Sequence, residues 1–416
     1  MLRRPRSSSL PREVSVLAVI AFVVALGFGV VAPAIPLFAR SYGVGTTAVG
    51  LAVSAFALFR FVFAFAGGSL VERLGERRVL AAGLAVVATG TGLAGLAGSF
   101  PVFLALRAAG GIGSAMFTVA ALSLLLRTAP PAERGRAAAT YQGGFILGGI
   151  AGPAAGGFLA DVSPRLPFFV YAGFLLIAGA VAMVLLRGSA RPTPVAPPAP
   201  VAPAADQAGG TEPTAAVPTA VPTAGAAGGG VRAALRSRAY LAALTANLGV
   251  GWMLFGVRTS LVPLYVTEEL GKSAAWAGAG LLAGSLAQAV GLLGAGRWSD
   301  SWGRRPSLVL GAALTTAATA ALALPAHTAV FLLAMATVGL GASLLSSVPA
   351  AIVGDVSPRR GGRVVAVFSM VADLGAVSGP LVAGWLTDTF SFQVAFAVSA
   401  GVLGLGLLAA LAMPRR

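Results

Sequence analysis

Apolar residues fill this chain in twelve long runs, separated by short polar loops and one low-complexity break. The runs cover residues 14–38, 48–70, 79–98, 101–126, 138–160, 165–187, 239–264, 275–297, 306–325, 328–353, 364–387 and 391–413. Each is about 20 residues or more, and at a rise of about 1.5 Å per residue that crosses a hydrocarbon layer of about 30 Å. Lipid offers no partner for a backbone amide, so runs of this length predict helices. The pattern predicts an all-α polytopic membrane protein with twelve transmembrane helices.

Composition agrees. Apolar residues make up 57% of the chain and charged residues only 10%, whereas soluble proteins carry about 25% charged residues. There is no cysteine, which excludes disulfides, thiolate metal sites and thiol catalysis. The single histidine, His327, falls in a short loop. With one histidine and few acids inside the runs, there is little material for an intramembrane enzyme, and neither a metal nor a cofactor is expected. The formal net charge of +16 follows topology instead of forming one patch. Twenty-three of the 29 basic residues fall on one side of the predicted membrane, while the opposite loops carry only Arg40, Arg165 and Lys272. That bias predicts both termini on the cytoplasmic side of a bacterial cell membrane, with anionic lipid and not nucleic acid as the electrostatic partner.

Residues 188–231 consist mostly of Pro, Ala, Gly and Thr and cannot bury enough apolar surface to order themselves. They read as a cytoplasmic linker between an N-terminal bundle (14–187) and a C-terminal bundle (232–416), after a tail of residues 1–13. The two bundles repeat each other. Gly152-Pro153, Gly157 and Asp161 recur 227 residues later as Gly379-Pro380, Gly384 and Asp388, as Pro131, Gly135 and Arg136 do in Pro358, Gly362 and Arg363. Gly68, Glu72, Gly75 and Arg77 recur 228 residues later as Gly296, Asp300, Gly303 and Arg305. Two pseudo-symmetric six-helix bundles with a site between them at mid-depth is a transporter plan.

The loops after runs 2 and 8 carry the strongest motifs: Gly68-Ser-Leu-Val-Glu72-Arg73-Leu-Gly75-Glu76-Arg77 and Gly296-Arg-Trp-Ser-Asp300-Ser-Trp-Gly303-Arg304-Arg305. They resemble the signature loop of the major facilitator superfamily, with Glu72 in place of the usual aspartate and Glu76 in place of a basic residue. An acid at this point can face the positive N-terminal end of a helix in the other half. The resemblance implies that Glu72 meets the start of run 11, near Arg363 and Val364, and that Asp300 meets the start of run 5. Run 5 carries Gly148, Gly152, Pro153, Gly156 and Gly157, a string resembling that of the exporting antiporters. Run 1 ends in Pro33-Ala-Ile-Pro36, which is similar to the twelve-span drug and proton antiporters. Glycines spaced in this way also serve plain helix packing.

Four formal charges lie inside the runs: Arg60, Arg107, Arg258 and Asp373. A charge in the bilayer costs at least about 2.5 kcal/mol, so each is expected to face a partner or a cavity. Asp373 is the only carboxylate well inside a run. Its charged form loses hydration there, which suits a group that takes up and releases protons or contacts substrate; a structural pairing with a membrane arginine is the competing reading, and the two are compatible. The family resemblance associates Arg107, with Gly111 and Gly113, with proton coupling. Tyr141, Gln142, Asn247 and Gln288 are further cavity candidates, and each could instead bond a neighbouring helix. Phe61, Phe63 and Phe65 are more naturally lipid or packing residues. Three arginines against one aspartate favour neutral or anionic amphipathic substrates. The expected function is proton-coupled efflux of small amphipathic molecules by a monomer; proton-coupled uptake of a sugar or organic anion is the alternative, and a channel is disfavoured by the duplicated gate loops.

Overall fold

The computed structural model describes residues 10–130, 133–186, 230–356 and 362–414. It is helical nearly throughout, with helices where the apolar runs predict them. The N-terminal half contains α1 (Arg12–Arg40), α2 (Thr46–Leu74), α3 (Glu76–Ala94), α4 (Phe100–Thr128), α5 (Arg134–Val162) and α6 (Leu166–Leu185). The C-terminal half contains α7 (Arg238–Glu269), α8 (Ala274–Ser301), α9 (Arg304–Ala321), α10 (Thr328–Val356), α11 (Gly362–Thr389) and α12 (Phe392–Leu411). Ten of the described helices are long and apolar enough to cross a membrane. The other two, α3 and α9, occupy runs 3 and 9 but are shorter and begin with charged residues, Glu76-Arg77-Arg78 and Arg304-Arg305.

Two stretches depart from regular α geometry. α1 is interrupted at Ala32-Pro33, where the proline withdraws an amide donor. α7 contains two wide π turns, Gly251–Val257 and Tyr265–Glu269, a rare arrangement that is frequent at functional sites. The proposed linker lies outside the described residues except for its last two positions, Gly230 and Val231. Those begin a short helix, Gly230–Leu235, so order starts earlier than the composition predicts.

Packing order is the same in both halves. α2, α4, α3, α6, α1 and α5 follow one another as neighbours, as do their counterparts α8, α10, α9, α12, α7 and α11, and the halves meet along two seams, α2 with α11 and α5 with α8. The aromatic core repeats too. Phe38, Phe103 and Phe168 cluster with ring centroids 5.2–5.8 Å apart. Tyr265, with Phe331 and Phe396 at 6.3 and 5.2 Å, is the counterpart; the last two stand 228 residues after Phe103 and Phe168.

Lipid cannot drive apolar helices together, so close backbone approach must do it. Along α5 the glycines Gly144, Gly148, Gly152 and Gly156 lie on α1 so tightly that a Cβ at Gly156 would fall on the Val30 carbonyl. Gly375 and Gly379 of α11 lie in the same way on Leu248 and Trp252 of α7. Gly156→Val should therefore lower the melting temperature of the purified protein, an overpacking cost of about 1–3 kcal/mol. Gly149→Ala, where a Cβ meets nothing within 4 Å, should leave it unchanged; circular dichroism melts in detergent would compare the two.

Candidate functional site

For orientation, the end of the molecule carrying Arg12, Arg77 and Arg305 is named the basic face, and the opposite end the far face. At the far face the seams are closed. Thr46 and Thr47 at the start of α2 donate their backbone N–H groups to the Asp388 carboxylate of α11 at 2.7 and 2.8 Å, and the Thr47 hydroxyl donates a third bond at 2.7 Å. On the other seam, Ala274 and Ala275 at the start of α8 donate to Asp161 of α5 at 2.6 and 3.0 Å. Arg40 pairs with Glu268 through two bonds of 2.8 and 3.2 Å. These two residues are themselves 228 positions apart, so each occupies the other's place in the repeat. Glycines let the seams touch beneath these contacts: Gly50 lies on the Pro380 carbonyl, Gly278 on that of Pro153, Gly384 on that of Thr46 and Gly157 on that of Ala274.

The basic face differs. Added Cβ atoms at Gly68 and Gly296 would meet nothing within 4 Å. Glu72 is exposed and, among the described residues, has no hydrogen-bond or ion-pair partner. Among the described residues, Asp300 bonds only within its own half, to Arg304 at 2.8 Å, and Arg304 also reaches Asp355 at 3.2 Å. The Val364 carbonyl instead accepts from the Tyr240 hydroxyl at 2.8 Å. The expected contacts of Glu72 with the start of α11 and of Asp300 with the start of α5 are thus not made here. The described seam contacts lie at the far face and at mid-depth, and open space adjoins Gly68 and Gly296 at the basic face.

The rest of the signature loops act inside each half. Gly75 and Gly303 turn the chain with φ of +82° and +95°, a left-handed region that costs glycine little. The guanidinium of Arg77 donates to the Met183 carbonyl at the end of α6, and that of Arg305 donates to Leu411 at the end of α12 at 2.7 Å. Both acceptors are terminal carbonyls with no helical partner of their own. Arg73 is exposed.

Among the described residues, one pair of intramembrane charges comes together. Arg60 of α2 and Asp373 of α11 form an ion pair of 3.3 Å across the seam, with both side chains part-exposed. Asp373 also borders an apolar pocket of about 390 Å³ lined by Leu58, Phe61, Met370 and Leu374. Arg258, buried, donates to the Leu281 carbonyl and Ser285 hydroxyl of α8 at 2.9 and 3.0 Å, so it pins α7 to α8. Arg107 is 5% exposed and has no carboxylate beside it; its guanidinium stacks 4.7 Å from the Phe56 ring, and its Nε has no hydrogen-bond partner.

The remaining candidates do not converge on that pair. Asn247 donates to the Phe368 carbonyl at 2.6 Å, which ties α7 to α11. Gln288 faces the Ser346 hydroxyl at 3.4 Å, Gln142 is exposed, and Tyr141 packs edge-on against Phe145 with its buried hydroxyl unpartnered. Gly148, Gly152 and Gly156 of the antiporter-like string serve packing against α1, and Gly157 serves the seam to α8. His327 Nδ1 accepts from the Ala329 N–H at the start of α10. Phe63 is exposed, and no group of three His, Asp or Glu gathers for a metal among the described residues. Asp161, Asp388, Arg40 and Glu268 are the far-face residues that sequence reasoning did not single out. The signal was present for the two aspartates, which closed the Gly-Pro repeat.

The sequence profile of the Major Facilitator Superfamily matches residues 17–283 and 248–416. The chain belongs to this superfamily. It is therefore a transport protein and not an enzyme, and it is embedded in a membrane by multiple passes. The quinolone resistance protein NorA of Staphylococcus aureus (strain MRSA252) is 28% identical over 186 residues, 44% of this chain and 47% of that protein. Multidrug resistance protein 2 of Bacillus subtilis (strain 168) is 29% identical over 168 residues, 40% of this chain and 42% of that protein. The chain thus spans about half the length of the curated relatives it matches. A bacterial homolog of the human lysosomal transporter Spinster, solved in an inward-facing and unoccupied conformation, superimposes with a TM-score of 0.74 over 97% of this chain and 98% of the other, at 16% identity. That likeness concerns the fold.

If Arg77 and Arg305 cap helix ends within their own halves, Arg77→Gln and Arg305→Gln should each cost about 1 kcal/mol of stability. Thermal unfolding in detergent should show a lower midpoint for both, and none for Arg78→Gln on the exposed side of the same loop.

Proposed function

We propose that this superfamily member is a proton-coupled exporter of small amphipathic molecules from the bacterial cytoplasm, working by alternating access. The observation that carries the reading is the Arg60–Asp373 pair, which joins the two halves beside an apolar pocket. While Asp373 is ionised, its attraction to Arg60 helps hold α2 against α11. Proton uptake removes the carboxylate charge, so protonation and movement of the halves are linked. The relatives named for quinolone and multidrug resistance support export as the direction.

Charge narrows the substrate class. With Asp373 engaged by Arg60, Arg107 and Arg258 remain as cations without a carboxylate beside them. That balance favours neutral or anionic amphiphiles over lipophilic cations. The basic face would be cytoplasmic, consistent with its excess of arginine. The tract over 188–231 would serve as a tether between the bundles, and the protein would act as a monomer.

Everted membrane vesicles energised by respiration test the proposal. A quinolone should accumulate in the lumen, an uncoupler should abolish that accumulation, and Asp373→Asn should reduce it at least about tenfold while the protein still elutes as a single species. Uncoupler-insensitive accumulation would remove proton coupling. Normal coupled transport by Asp373→Asn would remove Asp373 from the mechanism. Deletion of residues 195–225 should leave accumulation intact; its loss would show that the tract does more than join the bundles.

A further inference from the structure

The helices at the two seams are antiparallel: α2 against α11, and α5 against α8. Each ends with an acid in its last turn, Glu72 of α2, Asp388 of α11, Asp161 of α5 and Asp300 of α8. An acid at its own helix C-terminus opposes the helix dipole. It becomes favourable only where it meets the N-terminus of another helix, and in an antiparallel pair the partner's N-terminus lies alongside. Each seam therefore holds two possible caps, one at each face. In this structure the far-face caps are made, by Asp388 on α2 and Asp161 on α8. Among the described residues, the basic-face acids Glu72 and Asp300 make no hydrogen bond to the starts of α11 and α5. The seam glycines follow the same division, with backbone against them at Gly50, Gly278, Gly157 and Gly384, and empty space at Gly68 and Gly296.

We infer that Asp161 and Asp388 are the far-face arm of a four-acid balance that sets which side of the transporter is open. Rocking the halves would break the two far-face caps and make the two basic-face caps, so each face is closed by the same type of contact. The two states then differ little in electrostatic energy, and the smaller effects of proton and substrate can decide between them. The arms are not equal. Asp388 accepts three bonds, one from the Thr47 hydroxyl, whereas Asp161 faces Ala274 and Ala275 and accepts two. The α5–α8 seam is thus the weaker of the two and releases first. Arg40 and Glu268, the matched positions of the repeat, add a contact between the seams that must also part.

This inference rests on the alternating-access part of the proposed function, but not on the substrate or on proton coupling. Its test uses neither. The chain has no cysteine, so introduced pairs can be spin-labelled cleanly. One pair, Val162 and Lys272, reports the far face; the other, Gly135 and Ser301, reports the basic face, and all four positions are exposed. Distances would be measured by double electron–electron resonance on full-length protein in lipid nanodiscs, without gradient or ligand. In the parent protein the far-face distance should be short and the basic-face distance long. Asp161→Asn with Asp388→Asn should raise the ratio of far-open to far-closed molecules by about tenfold or more, a loss of charge-assisted bonds and of the dipole contact. The basic-face distance should shorten in the same molecules. Glu72→Gln with Asp300→Asn should move the ratio the other way, and the four substitutions together should fall between the two doubles.

Unchanged distances in the far-face double variant would overturn the inference. So would lengthening at the far face without shortening at the basic face, which would mark the aspartates as structural caps only. If the double variant does not fold, Asp161→Asn alone carries the test, because its seam has the fewer bonds; a ratio equal to the parent's would again sink the idea. Failure of quinolone transport with the balance intact would instead sink only the proposed substrate and coupling.

Discussion

In hydrocarbon a peptide group has no solvent to bond, and every other feature of this protein follows from that constraint. It forces the chain into helices and removes the usual apolar driving force between them, because lipid is as apolar as a side chain. What remains is van der Waals contact at close range and the few unpaired amides at helix ends. The glycine rows of α5 and α11 exploit the first, bringing backbone against backbone on α1 and α7. Asp161 and Asp388 exploit the second, each meeting amides that no helix turn can satisfy.

These two kinds of contact are distributed differently within the halves and between them. Within a half, helices are locked by glycine rows, by aromatic clusters such as Phe38, Phe103 and Phe168, and by Arg77 and Arg305 on the ends of the outer helices. Between halves there are two narrow seams, end caps, an ion pair at Arg60 and Asp373, and the Arg40–Glu268 pair. Contacts of that second sort are directional and few. The two bundles are thus each held by many close contacts and are joined to one another by few.

The charged residues inside the spans resolve into distinct tasks. Arg258 is satisfied by a carbonyl and a hydroxyl of α8, so its cost is met within the bundle. Arg107 is buried on an aromatic face with its Nε unpaired, an uncommon state for a guanidinium. Only Arg60 and Asp373 reach across between halves. This pair is part-exposed, and its attraction is offset by whatever hydration the two charges give up, so it adds little to stability.

The class of this protein was legible in the sequence because lipid imposes a one-dimensional rule: run length gives spans, and the 227–228 residue offset gives two halves. The same offset already paired Asp161 with Asp388 and Gly75 with Gly303. What the chain order could not give was which side of the seam was closed, since Gly68 and Gly50 read alike until their neighbours are known. Nor could it say that Asn247 is spent on the Phe368 carbonyl, or that Asp373 finds Arg60 some 313 residues away. Helices are decided by residues near in sequence, whereas the partner of a polar side chain is decided by which distant helices happen to share a seam.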